Sequence, residues 1–114
     1  MSGVLLLLSS DLMLISSASH AARQAGLEFQ NAASLEAATP KLQDPAVRLC
    51  LDLSCPIRPE DIAAVASPSV LRQAIAFGPH VHTARLEGAR SAGFPTVLSR
   101  GQFVTRLQSG ELFS

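Results

Sequence analysis

Val47-Arg48-Leu49-Cys50-Leu51-Asp52-Leu53-Ser54-Cys55-Pro56 is the stretch that decides the fold. Asp44-Pro45 turns the chain into it, and the Val, Leu and Cys content of Val47 to Leu53 suits a central strand although its alternation is imperfect. The strand runs into an acid, Asp52, and Pro56 follows four residues later.

Upstream, Val4 to Leu8 is a short unbroken aliphatic run, as expected of a strand covered on both faces of a parallel sheet. Ser9, Ser10 and Asp11 offer oxygens to cap a helix. Ile15, Ala18, Ala22 and Ala25 then recur at helical spacing until Gly26 stops them. Leu27 to Gln30 reads as a weak second strand, and Ser34 to Ala38 as the start of a helix that Pro40 breaks. Downstream, Pro59, Glu60 and Asp61 suit the first turn of a helix reaching about Ala66. Ala74 to Phe77 is a fourth strand ended by Gly78-Pro79. A fourth helix, His82 to Ala92, turns Leu86 and Ala89 inward and is closed by Gly93 and Pro95. Thr96 to Ser99 is a fifth strand, and Gln102 to Leu107 a last short helix.

Five strands alternating with helices predict an α/β fold: a doubly wound parallel sheet with helices on both faces. Winding reverses after the first strand, so the expected order is 2-1-3-4-5. At 114 residues the chain has room for one core, and one domain over 1–114 is expected, with no linker, repeat or low-complexity stretch inside it.

Nine basic and nine acidic side chains cancel, so no charge field draws in nucleic acid or an anionic membrane, and neither is an expected partner. The apolar opening lacks a basic residue before it and meets Asp11 early, unlike a signal peptide, and it is too short to span a bilayer. Cys50 and Cys55 have the wrong spacing for a CxxC pair and are too few for a zinc site; they read as buried free thiols in a reducing cytoplasm.

In sheets of this kind, ligand sites gather at the carboxyl ends of the strands, where the order reverses. The residues expected there are Ser9, Ser10 and Asp11, then Asp52 to Pro56, Gly78 to His82, and Ser99 with Arg100. The run Val47 to Pro56, an apolar strand ending in aspartate with proline four residues on, resembles the response-regulator receiver family. Ala92-Gly93 leading through Val97 and Leu98 to Arg100 is similar to the receiver segment that ends in lysine, and the distance from Ser9 to Gly26 also matches. The resemblance implies a flavodoxin-like fold and, at Asp52, a carboxylate that accepts a phosphoryl group, with Arg100 in the lysine's place.

The departures carry the functional reading. Receivers hold Mg²⁺ with two adjacent acids after the first strand; here those positions are Ser9 and Ser10, and Asp11, one position on, suits a helix cap and is only a weak candidate to rescue the metal. Gly78 replaces the hydroxyl residue that ends the fourth strand, and Val97 the aromatic residue that moves with it. Asp52 and Arg100 are expected to face each other as a static ion pair tying the third strand to the fifth. His80 and His82, with Asp52, are weaker candidates for a transition-metal site, and Cys55 with His80 for a nucleophile. The expected function is a degenerate receiver-like signalling or protein-interaction module, non-enzymatic, cytoplasmic, without a cofactor and without conventional Mg²⁺-dependent phosphorylation. Its partner is another protein or a second copy, met through the side formed by the fourth helix and fifth strand, where Arg85 and Arg90 flank Leu86 and Ala89. The alternatives are a single-domain response regulator phosphorylated on Asp52 and, below it, a small metal-dependent enzyme.

Overall fold

In the computed structural model, which describes residues 3–113, Leu5 to Leu8 are each at most 1% exposed. Such burial follows from the place of β1 (Val4–Leu8) inside the sheet. It pairs in parallel with β2 (Glu28–Ala32) on one side and β3 (Val47–Asp52) on the other. Parallel pairing continues from β3 to β4 (Ile75–Gly78) and from β4 to β5 (Thr96–Ser99), giving the expected order β2-β1-β3-β4-β5.

The two-residue period of a strand then sorts the aliphatic run between two cores. Leu5 and Leu7 face α1 (Leu12–Gln24) and α6 (Arg100–Ser109), packing with Leu14, Ala18, Ala22, Phe103 and Leu107. Leu6 and Leu8 face the opposite layer with Leu49 and Leu51. That layer holds α2 (Leu35–Ala38), α3 (Pro59–Val65), α4 (Pro68–Leu71) and α5 (Thr83–Ala92), which contribute Ala38, Ile62, Val70, Leu86 and Ala89. Each buried leucine is worth about 1.5–3 kcal/mol relative to exposure, so one unbroken strand anchors both layers.

Several boundaries move for identifiable reasons. Strand β2 runs to Ala32 because Asn31 remains in register with Leu7. The second α-helix does end at Ala38, ahead of Pro40, and a 3₁₀ stretch over Thr39–Gln43 then carries the proline in its first turn, where a missing amide is tolerated. The predicted third helix is followed by a separate one, because Ser67 caps α4 and Pro68 begins it. Helix α6 begins at Arg100 rather than Gln102, since Ser99 and Gln102 form a reciprocal capping box. On α1 the inward face is Leu14, Ala18, Ala21 and Ala22; Ala25 is the exposed C-cap. Leu86 and Ala89 are core residues, which removes them from the expected pairing surface of α5. Among the described residues, no helix is long and apolar enough to cross a membrane.

Candidate functional site at the carboxyl edge of the sheet

The strand register dictates what meets at this edge. Leu8 lies opposite Leu51, so Ser9 emerges beside Asp52; Asp52 lies opposite Phe77, and Gly78 opposite Ser99. Residues scattered over the whole sequence therefore share one end of the sheet.

Asp52 is 3% exposed and Ser9 is fully buried. A carboxylate taken that far from water needs donors, and it has them. The Ser9 hydroxyl donates to Oδ2 at 2.7 Å, and the Ser54 amide donates to Oδ1 at 2.9 Å. The Ser9 oxygen in turn accepts the Asp11 amide at 3.1 Å. Asn31 on the edge strand fastens the end of β1 by donating to the carbonyls of Leu7 and Ser9, both at 2.9 Å. Among the described residues, no buried side-chain nitrogen or oxygen lacks a partner.

Arg100 does not pair with Asp52. Its guanidinium donates to Asp11 Oδ2 at 2.5 Å, while Asp11 Oδ1 accepts the amides of Met13 and Leu14 and so caps α1. The reason is a competition between two carboxylates. Arg100 opens α6, which packs beside α1, and the Asp11–Arg100 pair keeps 32% and 39% of its side chains exposed. Reaching Asp52 would take the guanidinium out of water to meet a carboxylate already served by two donors, and the desolvation penalty favours the wetter partner. The bond to Arg100, then the amide of Leu14, holds the Asp11 carboxyl below the ordinary aspartate value.

The remaining candidates are placed as follows. Ser10 is exposed, as are His80 and His82. No cluster of three or more His, Cys, Asp or Glu side chains able to hold a metal is found among the described residues, so the two histidines and Asp52 are not gathered into one. Both cysteines are free and buried, on opposite faces of the sheet. Burial pushes the Cys50 thiol up to about 12 and also raises Cys55, whose sulfur donates to the Leu8 carbonyl at 3.6 Å. Neither is an activated nucleophile.

Gly78 ends β4 under a close neighbour. A β-carbon there would lie 3.2 Å from Cβ of Leu53, whose buried side chain covers the spot. Leu53 and Ser54 lie within the Asp52 to Pro56 stretch expected at this edge, but their roles are not foreseeable from the sequence; Asn31 is not expected there at all, although it carries a local signal, a lone amide side chain at the carboxyl end of a strand.

No protein-family model and no curated protein matches the sequence. Solved structures do. The chemotaxis response regulator CheY4 of Vibrio cholerae superposes with a TM-score of 0.74 at 16% identity, over 97% of each chain. The beryllofluoride-activated NtrC4 receiver domain dimer matches with a TM-score of 0.69 at 16% identity, over 96% of this chain and 97% of that one. The chain has the receiver fold. The receiver domain of the sensor histidine kinase PA1611 from Pseudomonas aeruginosa PAO1, solved with magnesium in its active-site cleft, also matches at 0.69 and 16% identity, over 96% of this chain and 97% of the other.

On this receiver fold the residues present do not fit a magnesium ion. Such an ion takes hard, preferably charged oxygens in near-octahedral array. Here Ser9 is buried and engaged both as donor and as acceptor, and the Asp11 carboxylate is committed to Arg100 and to two amides.

Proposed function

We propose that residues 1–114 form one receiver-like domain, located in the cytoplasm, that serves as a signalling or protein-interaction module without conventional magnesium-dependent phosphorylation. The observation that carries this reading is the state of the two carboxylates at the carboxyl edge. Asp52 is buried with both oxygens occupied by protein donors, and Asp11 is neutralised by Arg100. A carboxylate attacks an anionic phosphodonor only where charge repulsion is offset, and the cation of Arg100 is spent on another acid. With Gly78 the end of β4 also supplies no hydroxyl donor for the transferring oxygens. Removing one preorganised donor slows comparable reactions about 10²- to 10³-fold, and a lost charged clamp adds a similar factor, so roughly four orders of magnitude are expected.

The function left to such a domain is presentation of a surface to a protein partner or to a second copy. The solved NtrC4 neighbour is a dimer, and the exposed side of α5 with the edge strand β5 is the proposed contact. Val81, 69% exposed just before α5, and Leu12 and Met13, 79% and 80% exposed at the start of α1, are large apolar side chains left in water near the same edge.

The test is incubation with acetyl phosphate and magnesium followed by intact-mass measurement, together with titration by beryllofluoride. No added phosphoryl mass and no saturable spectral change around Asp52 are expected. Prompt gain of one phosphoryl group, lost in Asp52→Ala, would replace this reading with that of a single-domain response regulator phosphorylated on Asp52.

A further inference from the structure

Leu53, the residue after Asp52, is held from three directions. Its amide donates to the Phe77 carbonyl at 2.8 Å, its side chain lies over Gly78, and its carbonyl accepts Arg85 Nη1 of α5 at 2.8 Å. The last contact is the informative one, because little else holds the start of α5. His80 through Arg85 are all exposed, His82 at the N-cap supplies no side-chain cap, and the buried residues of the helix, Leu86 and Ala89, come later. A cleft of about 310 Å³ opens beside this turn, lined by residues that include Leu53, Cys55, Ile57, Ala84, Arg85 and Gly88. Arg85 reaches across that side to a backbone oxygen.

We propose that Arg85 and Leu53 form a strut that fixes the first turn of α5 to the loop after Asp52, so that the two move as one body. The seat of the strut is Gly78. A β-carbon there lies 3.2 Å from the Leu53 β-carbon, so the residue whose carbonyl Arg85 grips has to give by a few tenths of an ångström. The strut makes α5 read the position of the Asp52 loop directly, through a backbone carbonyl, and needs neither a hydroxyl at position 78 nor an aromatic side chain at position 97. Its meaning as the device that holds the partner-facing helix in one place rests on the proposed function. Its existence does not, since it is a property of the free protein.

Amide hydrogen exchange followed residue by residue on the free protein tests it. In Arg85→Ala, the amides of Ser54 and Cys55 in the loop and of Leu86 in α5 should exchange together, about three- to tenfold faster, as loss of one hydrogen bond implies. Amides of α1 and α6 should be unchanged. Arg85→Lys, which keeps a donor of similar reach, should restore much of the protection. Gly78→Ala should loosen the same amides, and adding Leu53→Gly to it, which removes the β-carbon that the new methyl group meets, should relieve the crowding, a coupling that independent sites do not show. Faster exchange confined to α5, or no change in Ser54 and Cys55, would overturn the strut. Neither result bears on phosphorylation of Asp52, so the two proposals fail separately.

Discussion

Asp11 does two jobs with one carboxylate, and they separate by mutation. One oxygen caps α1 and the other holds Arg100. Asp11→Asn keeps a capping oxygen and removes the ion pair. Because Arg100 and the Leu14 amide depress the folded-state value of this carboxyl, its contribution is complete above the ordinary aspartate value of about 3.9. It fades as pH falls through the lower folded value, where the native protein must also take up the proton. The pair is about one-third exposed, so the stabilisation at neutral pH is about 0.3–1 kcal/mol and weakens with salt. Urea titrations of the wild type and Asp11→Asn should therefore differ by about that much at neutral pH and converge below about pH 4. Equal separation at all pH values would assign the effect to packing. At the same scale, Ser9 shows why a small residue can matter in a fully buried position. Its hydroxyl is simultaneously donor to Asp52 and acceptor from the Asp11 amide, and no apolar residue of that size replaces either bond.

At the scale of elements, helix ends decide where the edge residues point. Helix α6 starts directly after β5 because Ser99 accepts the Gln102 amide at 3.1 Å and Gln102 returns the bond to the Ser99 amide at 2.9 Å. That box places Arg100 on the first helical residue, facing α1 and its cap. Ser99→Ala leaves the Gln102 amide without its acceptor and should lower stability by about 1 kcal/mol. Chemical denaturation should show a lower midpoint with an unchanged slope. The nuclear resonances of the Asp11 turn should shift as Arg100 loses its anchor. A midpoint shift without that spectral change would mean that Arg100 is positioned by something other than the cap. Helix α5 has the opposite character. It ends firmly at Gly93, whose φ of 108° suits glycine, but starts without a side-chain cap, which is why a single arginine contact carries weight there.

Across the whole molecule, two cores share one sheet, and two of the five phenylalanines meet at a single junction. Phe77 of β4 and Phe103 of α6 stack with centroids 3.8 Å apart and an interplanar angle of 4°, both fully buried. They join the last helix to the middle of the sheet. Phe103→Ala should lower stability by about 3–5 kcal/mol, a large share of the roughly 5–15 kcal/mol of a typical domain. Phe103→Leu, which better conserves volume, should lower it by a much smaller amount. Thermal melts of the two variants check the difference, and similar small losses in both would show that the α6 layer is dispensable to the core.

The alternation of strands and helices, the parallel doubly wound sheet, the order 2-1-3-4-5 and the gathering of Ser9, Asp52, Gly78 and Arg100 at one edge were legible in the sequence, while the separate helix α4 was not. They rest on short-range information: the length of an aliphatic run, the period of the apolar residues, and glycine or proline at the joints. So was the cap made by Asp11, which lies within three residues of the amides it serves. What the sequence left open was which groups bond once the edge is assembled. Arg100 chooses Asp11, 89 positions away, over Asp52 because the burial of each carboxylate differs, and burial belongs to the folded molecule. Arg85 finds the Leu53 carbonyl across 32 positions, and Leu53 covers Gly78, through shape alone. Local periodicity specifies strands and helices because their hydrogen bonds and faces repeat along the chain. The partners of a long polar side chain depend instead on distances and desolvation that exist only after the layers have packed.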